Sequence, residues 1–160
     1  LIIMKRTLLL IATFFVAINV FAQDSDKIKR WSTLELTMAP INIIELTTTQ
    51  GIIYDRFAVG LTVGLGENLE TWRETYGHYI PLYLTAQFDL TQGTKVVPYF
   101  AVKAGAEFYV TDGLNPIMYA LHPSFGIKYK NFYSGLGFYN AWRDTYTSSY
   151  LLSLSIGYNF

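Results

Sequence analysis

His122, Pro123 and Ser124 are the residues in this chain that come nearest to a catalytic pair. On an extended strand His122 and Ser124 project to one side, about 7 Å apart, so a base and a hydroxyl share a face. Acyl transfer would also need an acid to orient the base. No Glu follows Glu107, and downstream of Ser124 only Asp144 remains, in a loop. A second set of polar side chains is scattered along the chain: Glu35, Glu45, Arg56, Gln87, Asp89, Lys103, Glu107, His122 and Lys128. If these shared one interior they could form an ion path, a proton relay or a plug of ion pairs, and buried charges have to be paired. Lys103 and Glu107, four apart on one strand face, are the natural start of such a network. The chain has 2 His and 0 Cys. Multi-histidine and thiolate metal sites, disulfides and cysteine catalysis therefore fall away. No phosphate, zinc or calcium loop is present, and no cofactor is expected.

What positions these residues is a period of two. Large apolar side chains alternate with small or polar ones over eight segments: 31–38, 43–54, 56–66, 79–90, 96–110, 119–130, 132–142 and 149–160. Strict alternation of this kind is the pattern of a half-buried strand. Segment 56–66 is typical: Phe57, Val59, Leu61, Val63 and Leu65 oppose Ala58, Gly60, Thr62, Gly64 and Gly66. All of the candidate polar residues fall in the small, polar phase. From the second strand on, tight connections at Asp55, 91–95 and Asn131 alternate with longer ones at 67–78, 111–118 and 143–148. Such spacing predicts an antiparallel meander with turns at one mouth and loops at the other. The short first connection, 40–42, is the exception.

Composition narrows the surroundings. The 160 residues are 51% hydrophobic, 17% aromatic and 15% charged, against about 25% charged in a typical soluble domain. Net charge is zero, which gives no general attraction to nucleic acid. Lys5 and Arg6 precede an apolar run from Leu8 to Val20, and Val20-Phe21-Ala22 offers small or aliphatic residues at the cleavage positions. Residues 4–22 are expected to be a signal peptide, with Met4 the initiator, leaving 23–160 as one exported barrel domain.

Sterics decide which way the two phases face. An eight-stranded barrel has an interior just wide enough for side chains. Here the bulky phase is the apolar one, and the opposing phase is rich in Gly, Ala, Ser and Thr. The bulky set is therefore expected to face lipid and the slim polar set the lumen, the reverse of a soluble ligand-binding barrel. Outward aromatics cluster near the turn end (Tyr54, Phe57, Phe88, Tyr129, Phe132, Tyr158, Phe160) and the loop end (Phe108, Tyr119, Trp142, Tyr150). Tyr119 and Tyr129 lie on one strand with roughly 25 Å of membrane normal between them, the height of a lipid-facing band. In hydrocarbon only helices and closed barrels satisfy every backbone group.

The last residues, "LSIGYNF", resemble the C-terminal signal of outer-membrane β-barrel proteins, a final alternating strand ending in Phe. That resemblance implies that Tyr158 and Phe160 are read by the barrel assembly machinery. The mature chain as a whole looks like the small eight-stranded OmpA/OmpX-type barrels of Gram-negative bacteria. "GIIYDRFAVGLTVGLG" and "VVPYFAVKAGAEF" look like their strand segments. His122-Pro123-Ser124 resembles the His-x-Ser element of lipid A deacylase barrels. In that family a downstream acid completes the site, which is lacking here, and the lumen phase of His122 and Ser124 turns them from lipid.

The expected protein is thus an all-β, eight-stranded antiparallel up-and-down transmembrane barrel in the outer membrane. It would contact lipid and lipopolysaccharide and play a structural or surface-interaction role without catalysis. The polar loop 67–78, with Trp72 and Tyr76, is the candidate contact for a surface partner. A lipid A-modifying enzyme, a small-solute channel and a soluble hydrophobe-binding barrel are the alternatives.

Overall fold

The computed structural model describes residues 28–39, 43–69, 77–110, 117–143 and 148–160, the first three of the last stretch as backbone only. Alternating β-favouring residues form eight strands: β1 (Ile28–Ala39), β2 (Ile43–Tyr54), β3 (Phe57–Asn68), β4 (Gly77–Asp89), β5 (Val96–Val110), β6 (Ile117–Tyr129), β7 (Phe132–Trp142) and β8 (Ser148–Asn159). Each pairs antiparallel with its neighbours in chain order, and β1 pairs with β8 to close a barrel. The closing seam, from Thr33↔Asn159 to Met38↔Leu154, is shorter than the β1–β2 ladder, from Ile28↔Tyr54 to Ala39↔Ile43. Closure leaves no free sheet edge. The C-terminal residue belongs to the seam: Phe160 N donates to Ser32 O at 2.9 Å.

The strands match the predicted segments closely, with β2, β5 and β7 at the expected bounds. The hairpin turns are the main difference. Two-residue connections join β2 to β3 and β6 to β7, with Asp55 at φ 56° and Lys130 at φ 54°. A left-handed residue at the first turn position matches the twist of the flanking strands. One residue more in the β2–β3 turn moves Arg56 out of β3. Arg56, expected in the lumen, instead lies exposed at the turn mouth, 3.9 Å from Asp55 and 5.4 Å from the Phe88 ring centroid.

The bulky apolar phase faces outward in every strand whose side chains are described. Phe125 is 54% and Ile156 50% exposed, and Leu61 faces out with them. Around the barrel, Leu46, Leu65, Leu84, Ile127, Leu136, Phe138 and Leu152 continue an apolar outer surface far larger than soluble monomers present. Both aromatic girdles are present in part. At the turn end Phe132, Tyr158 and Phe160 make successive edge contacts, with centroids 5.0 and 5.1 Å apart. At the loop end Tyr119 and Trp142 lie 6.4 Å apart. Tyr150 lies outside the described side chains. So do residues 4–22 and the Trp72 and Tyr76 part of the 67–78 loop.

The lumen departs from the slim filling expected of it. The largest fully buried side chains are Tyr79, Tyr83, Tyr99 and Tyr139, with Tyr109 and Tyr133 also buried. Tyrosines fit because glycines stand opposite them. A Cβ on Gly66 would run into the Tyr79 ring, and one on Gly157 into the Tyr133 ring. Each such pair spends one small residue on the barrel wall to admit one large residue into the axis. The mean lumen residue is small, as the sequence implied, but the filling is done by a few large rings.

Candidate functional site

The polar phase of the strands converges on the lumen and builds two unlike layers. From the middle to the turn mouth, carboxylates meet lysines. Glu35 on β1 and Lys103 on β5 stand on opposite walls and pair across the axis. Both are buried, and Thr37 Oγ1 donates to Glu35 Oε1 at 2.9 Å. Nearer the turn mouth Lys128 on β6 pairs with Asp89 on β4, and Gln87 Nε2 donates to Asp89 Oδ1 at 3.1 Å. A row of hydroxyls runs along the wall: Thr49 to Thr62 at 2.6 Å and Thr62 to Thr85 at 2.5 Å. Below these, a cavity of about 690 Å³ opens at the turn mouth, lined by Arg30, Lys95, Lys128 and Asp89 among others.

Toward the loop mouth the lumen changes character. Glu45 on β2 and Glu107 on β5 are both 0% exposed. Neither makes an ion pair of contact distance among the described residues. Their partners are phenols: Tyr83 lies 2.5 Å from Glu45 Oε1 and 2.8 Å from Glu107 Oε1. Tyr139 donates to Glu107 Oε1 at 2.6 Å. His122 packs against the same two rings, 4.2 Å from Tyr139 and 5.1 Å from Tyr83 between centroids. Tyr79 and Tyr109 stack at 5.0 Å. Ala39, Ile43, Ala120, Ala141, Met118 and Leu151 pack around these tyrosines and keep water from the carboxylates. Glu45 Oε2, Glu107 Oε2 and His122 Nε2 are buried without a hydrogen-bond partner among the protein's atoms.

Of the predicted site residues, the structure brings Glu35, Glu45, Asp89, Lys103, Glu107, His122 and Lys128 into one lumen and leaves Arg56 outside. His122 and Ser124 both lie in the inward phase of β6. No hydrogen bond joins them among the described residues, and the residue cross-strand from His122 is Lys103. A lysine there has the wrong sign to orient an imidazole as a base. His122 is also only 5% exposed, and its ring is engaged by tyrosines. Tyr79, Tyr109 and Tyr133 are lumen residues that sequence reasoning leaves unassigned. A signal for them exists: Tyr79 is four residues from Tyr83, Tyr109 two from Glu107, and Tyr133 two from Gly135, all in the inward phase.

No protein-family model matches the chain, and no curated protein matches it in sequence. Its similarity to solved structures is of shape. The N-terminal β-barrel domain of Pseudomonas aeruginosa OprF superposes with a TM-score of 0.54 at 16% identity, covering 84% of this chain and 98% of that one. Neisserial surface protein A superposes with a TM-score of 0.51 at 13% identity, covering 82% and 94%. The Yersinia pestis outer membrane protein Ail, in a phospholipid bilayer nanodisc, gives 0.46 at 11% identity, covering 82% and 100%. The first two are small eight-stranded outer-membrane barrels, and the chain shares their fold.

Proposed function

We propose that this chain is an outer-membrane barrel of structural or surface-interaction type that catalyses no reaction. The observation carrying this reading is the combination of an apolar, aromatic-edged outer wall with a lumen filled by tyrosines and paired charges. The outer wall suits hydrocarbon, where lipid and lipopolysaccharide are its natural neighbours. A filled lumen gives no path for solute. Tyr158 and Phe160, placed at the seam, suit recognition by the barrel assembly machinery during insertion. The 67–78 loop is the part of the chain offered to a surface partner.

Fractionation followed by electrophoresis with and without boiling tests the location. The expected result is recovery with outer membranes and a change in mobility on boiling. Recovery in the soluble periplasmic fraction without detergent would defeat it. Planar bilayers test the sealed lumen: folded protein is expected to give no steady conductance. Non-catalysis is tested by lipid A mass spectra, which are expected to be the same in cells carrying wild-type protein, His122→Ala or Ser124→Ala.

A further inference from the structure

The loop-side lumen contains three short oxygen–oxygen contacts and two hydroxyl protons to fill them. Tyr83 Oη meets Glu45 Oε1 at 2.5 Å and Glu107 Oε1 at 2.8 Å, and Tyr139 Oη meets Glu107 Oε1 at 2.6 Å. A phenol carries one proton and an ionised carboxylate none. If both carboxylates were ionised, one Tyr83 contact would set lone pair against lone pair at hydrogen-bond distance, in a site closed to water. A third proton removes the conflict.

We propose that the lumen holds a resident proton on Glu45, which is a neutral carboxylic acid in the folded barrel. Glu45 donates to Tyr83, Tyr83 donates to Glu107, and Tyr139 donates to Glu107. The reverse order is poorer. It would put the acid proton on Glu107 Oε1, the atom that already accepts from Tyr139, and a carboxyl hydroxyl oxygen is a weak acceptor. A proton on His122 would leave the three contacts unfilled, because His122 Nε2 has no partner.

The charge inventory agrees. Among the described residues, the carboxyls inside the barrel wall are Glu35, Glu45, Asp89 and Glu107, and the lysines paired with them are Lys103 and Lys128; Arg30 and Lys95 lie at the turn mouth. Each lysine is committed to its own acid, Glu35 or Asp89. Two carboxyl groups therefore remain, fully buried, with no cation in contact among the described residues. Among the described residues, the titratable and charged groups around Glu45 are Glu35 from β1, Tyr79 and Tyr83 from β4, Lys103, Glu107 and Tyr109 from β5 and Tyr139 from β7, with His122 from β6 packed behind the Tyr83 and Tyr139 rings. Against Glu45 itself β3 sets Gly66, its cross-strand neighbour, which brings no charge. The two orphaned oxygens, Glu45 Oε2 and Glu107 Oε2, are the places where a bound ion would otherwise be sought.

Infrared spectroscopy of the folded protein in detergent micelles at neutral pH tests the assignment. The spectrum of unlabelled protein is compared with that of protein labelled with ¹³C at the glutamate side-chain carboxyl. A protonated-carboxyl C=O band that shifts with the label is expected. It should vanish in Glu45→Gln, whose amide can still donate to Tyr83, and persist in Glu35→Gln. Absence of a label-sensitive band in folded wild-type protein overturns the proposal without recourse to any variant. So does a band that survives in Glu45→Gln and disappears in Glu107→Gln, which would put the proton on the other acid. Thermal stability that follows exchange of sodium for potassium, with no such band, would mean that a metal cation occupies the site.

Discussion

The two halves of the lumen solve one problem by different means. Both bury carboxylates in a space too narrow for bulk water. From the middle to the turn mouth, Glu35 and Asp89 each meet a lysine drawn from another wall of the barrel. Toward the loop mouth, Glu45 and Glu107 meet phenols and an imidazole ring packed beside them. The lower design ties strands together by charge; the upper one ties them by hydroxyl contacts and large ring area. The difference teaches that polarity of a lumen face does not define its chemistry. Where a cation is in reach, an acid pairs with it and ties two walls of the barrel together. Where only hydroxyls are in reach, the count of protons controls whether the layer is stable.

Four substitutions would break or sharpen this contrast, each read as a urea midpoint in detergent micelles. The largest loss is expected from Lys103→Met, which leaves Glu35 buried without its counterion and should cost about 3–5 kcal/mol. Adding Glu35→Gln to that variant should recover most of the loss. If the single variant unfolds with wild-type protein, the strut across the axis is not a stabilising element. Gly66→Ala should cost about 1–3 kcal/mol by overpacking the Tyr79 ring. In a Tyr79→Ala background its added cost should be near zero, and equal costs in both backgrounds would show that the glycine serves some other purpose. Thr62→Val removes the middle hydroxyl of the row and leaves Thr49 and Thr85 short of a partner, for about 1–2 kcal/mol. Glu45→Gln is expected to change stability least, by under about 1 kcal/mol, since an amide replaces a neutral acid. A loss as large as that of Lys103→Met would erase the proposed difference between the halves.

Much of this is legible in the linear chain. The alternation of bulky and slim residues assigns the outward side chains, and the lumen residues Glu35, Glu45, Asp89, Lys103, Glu107, His122 and Lys128 all follow from their phase. Arg56 is misplaced by the same rule because phase is counted through turns. One residue more in the Asp55 turn takes the next residue off the strand, and no local pattern distinguishes a one-residue connection from two. Tyr79, Tyr109 and Tyr133 escape for a different reason. Tyr is apolar by ring and polar by hydroxyl, so it fits either face, and Tyr119 and Tyr129 do face outward.

The sequence by itself determined the number of strands, their inward and outward faces and the class of solvent the outer face requires. Those depend on side-chain period and volume, which are local quantities. Only the tertiary structure decided which acid meets which partner. That Lys103 reaches Glu35 from the opposite wall, and that Tyr83 stands between Glu45 and Glu107, depends on the register and closure of all eight strands. A shift of two residues in one ladder would keep every face and change the pairs that span that ladder.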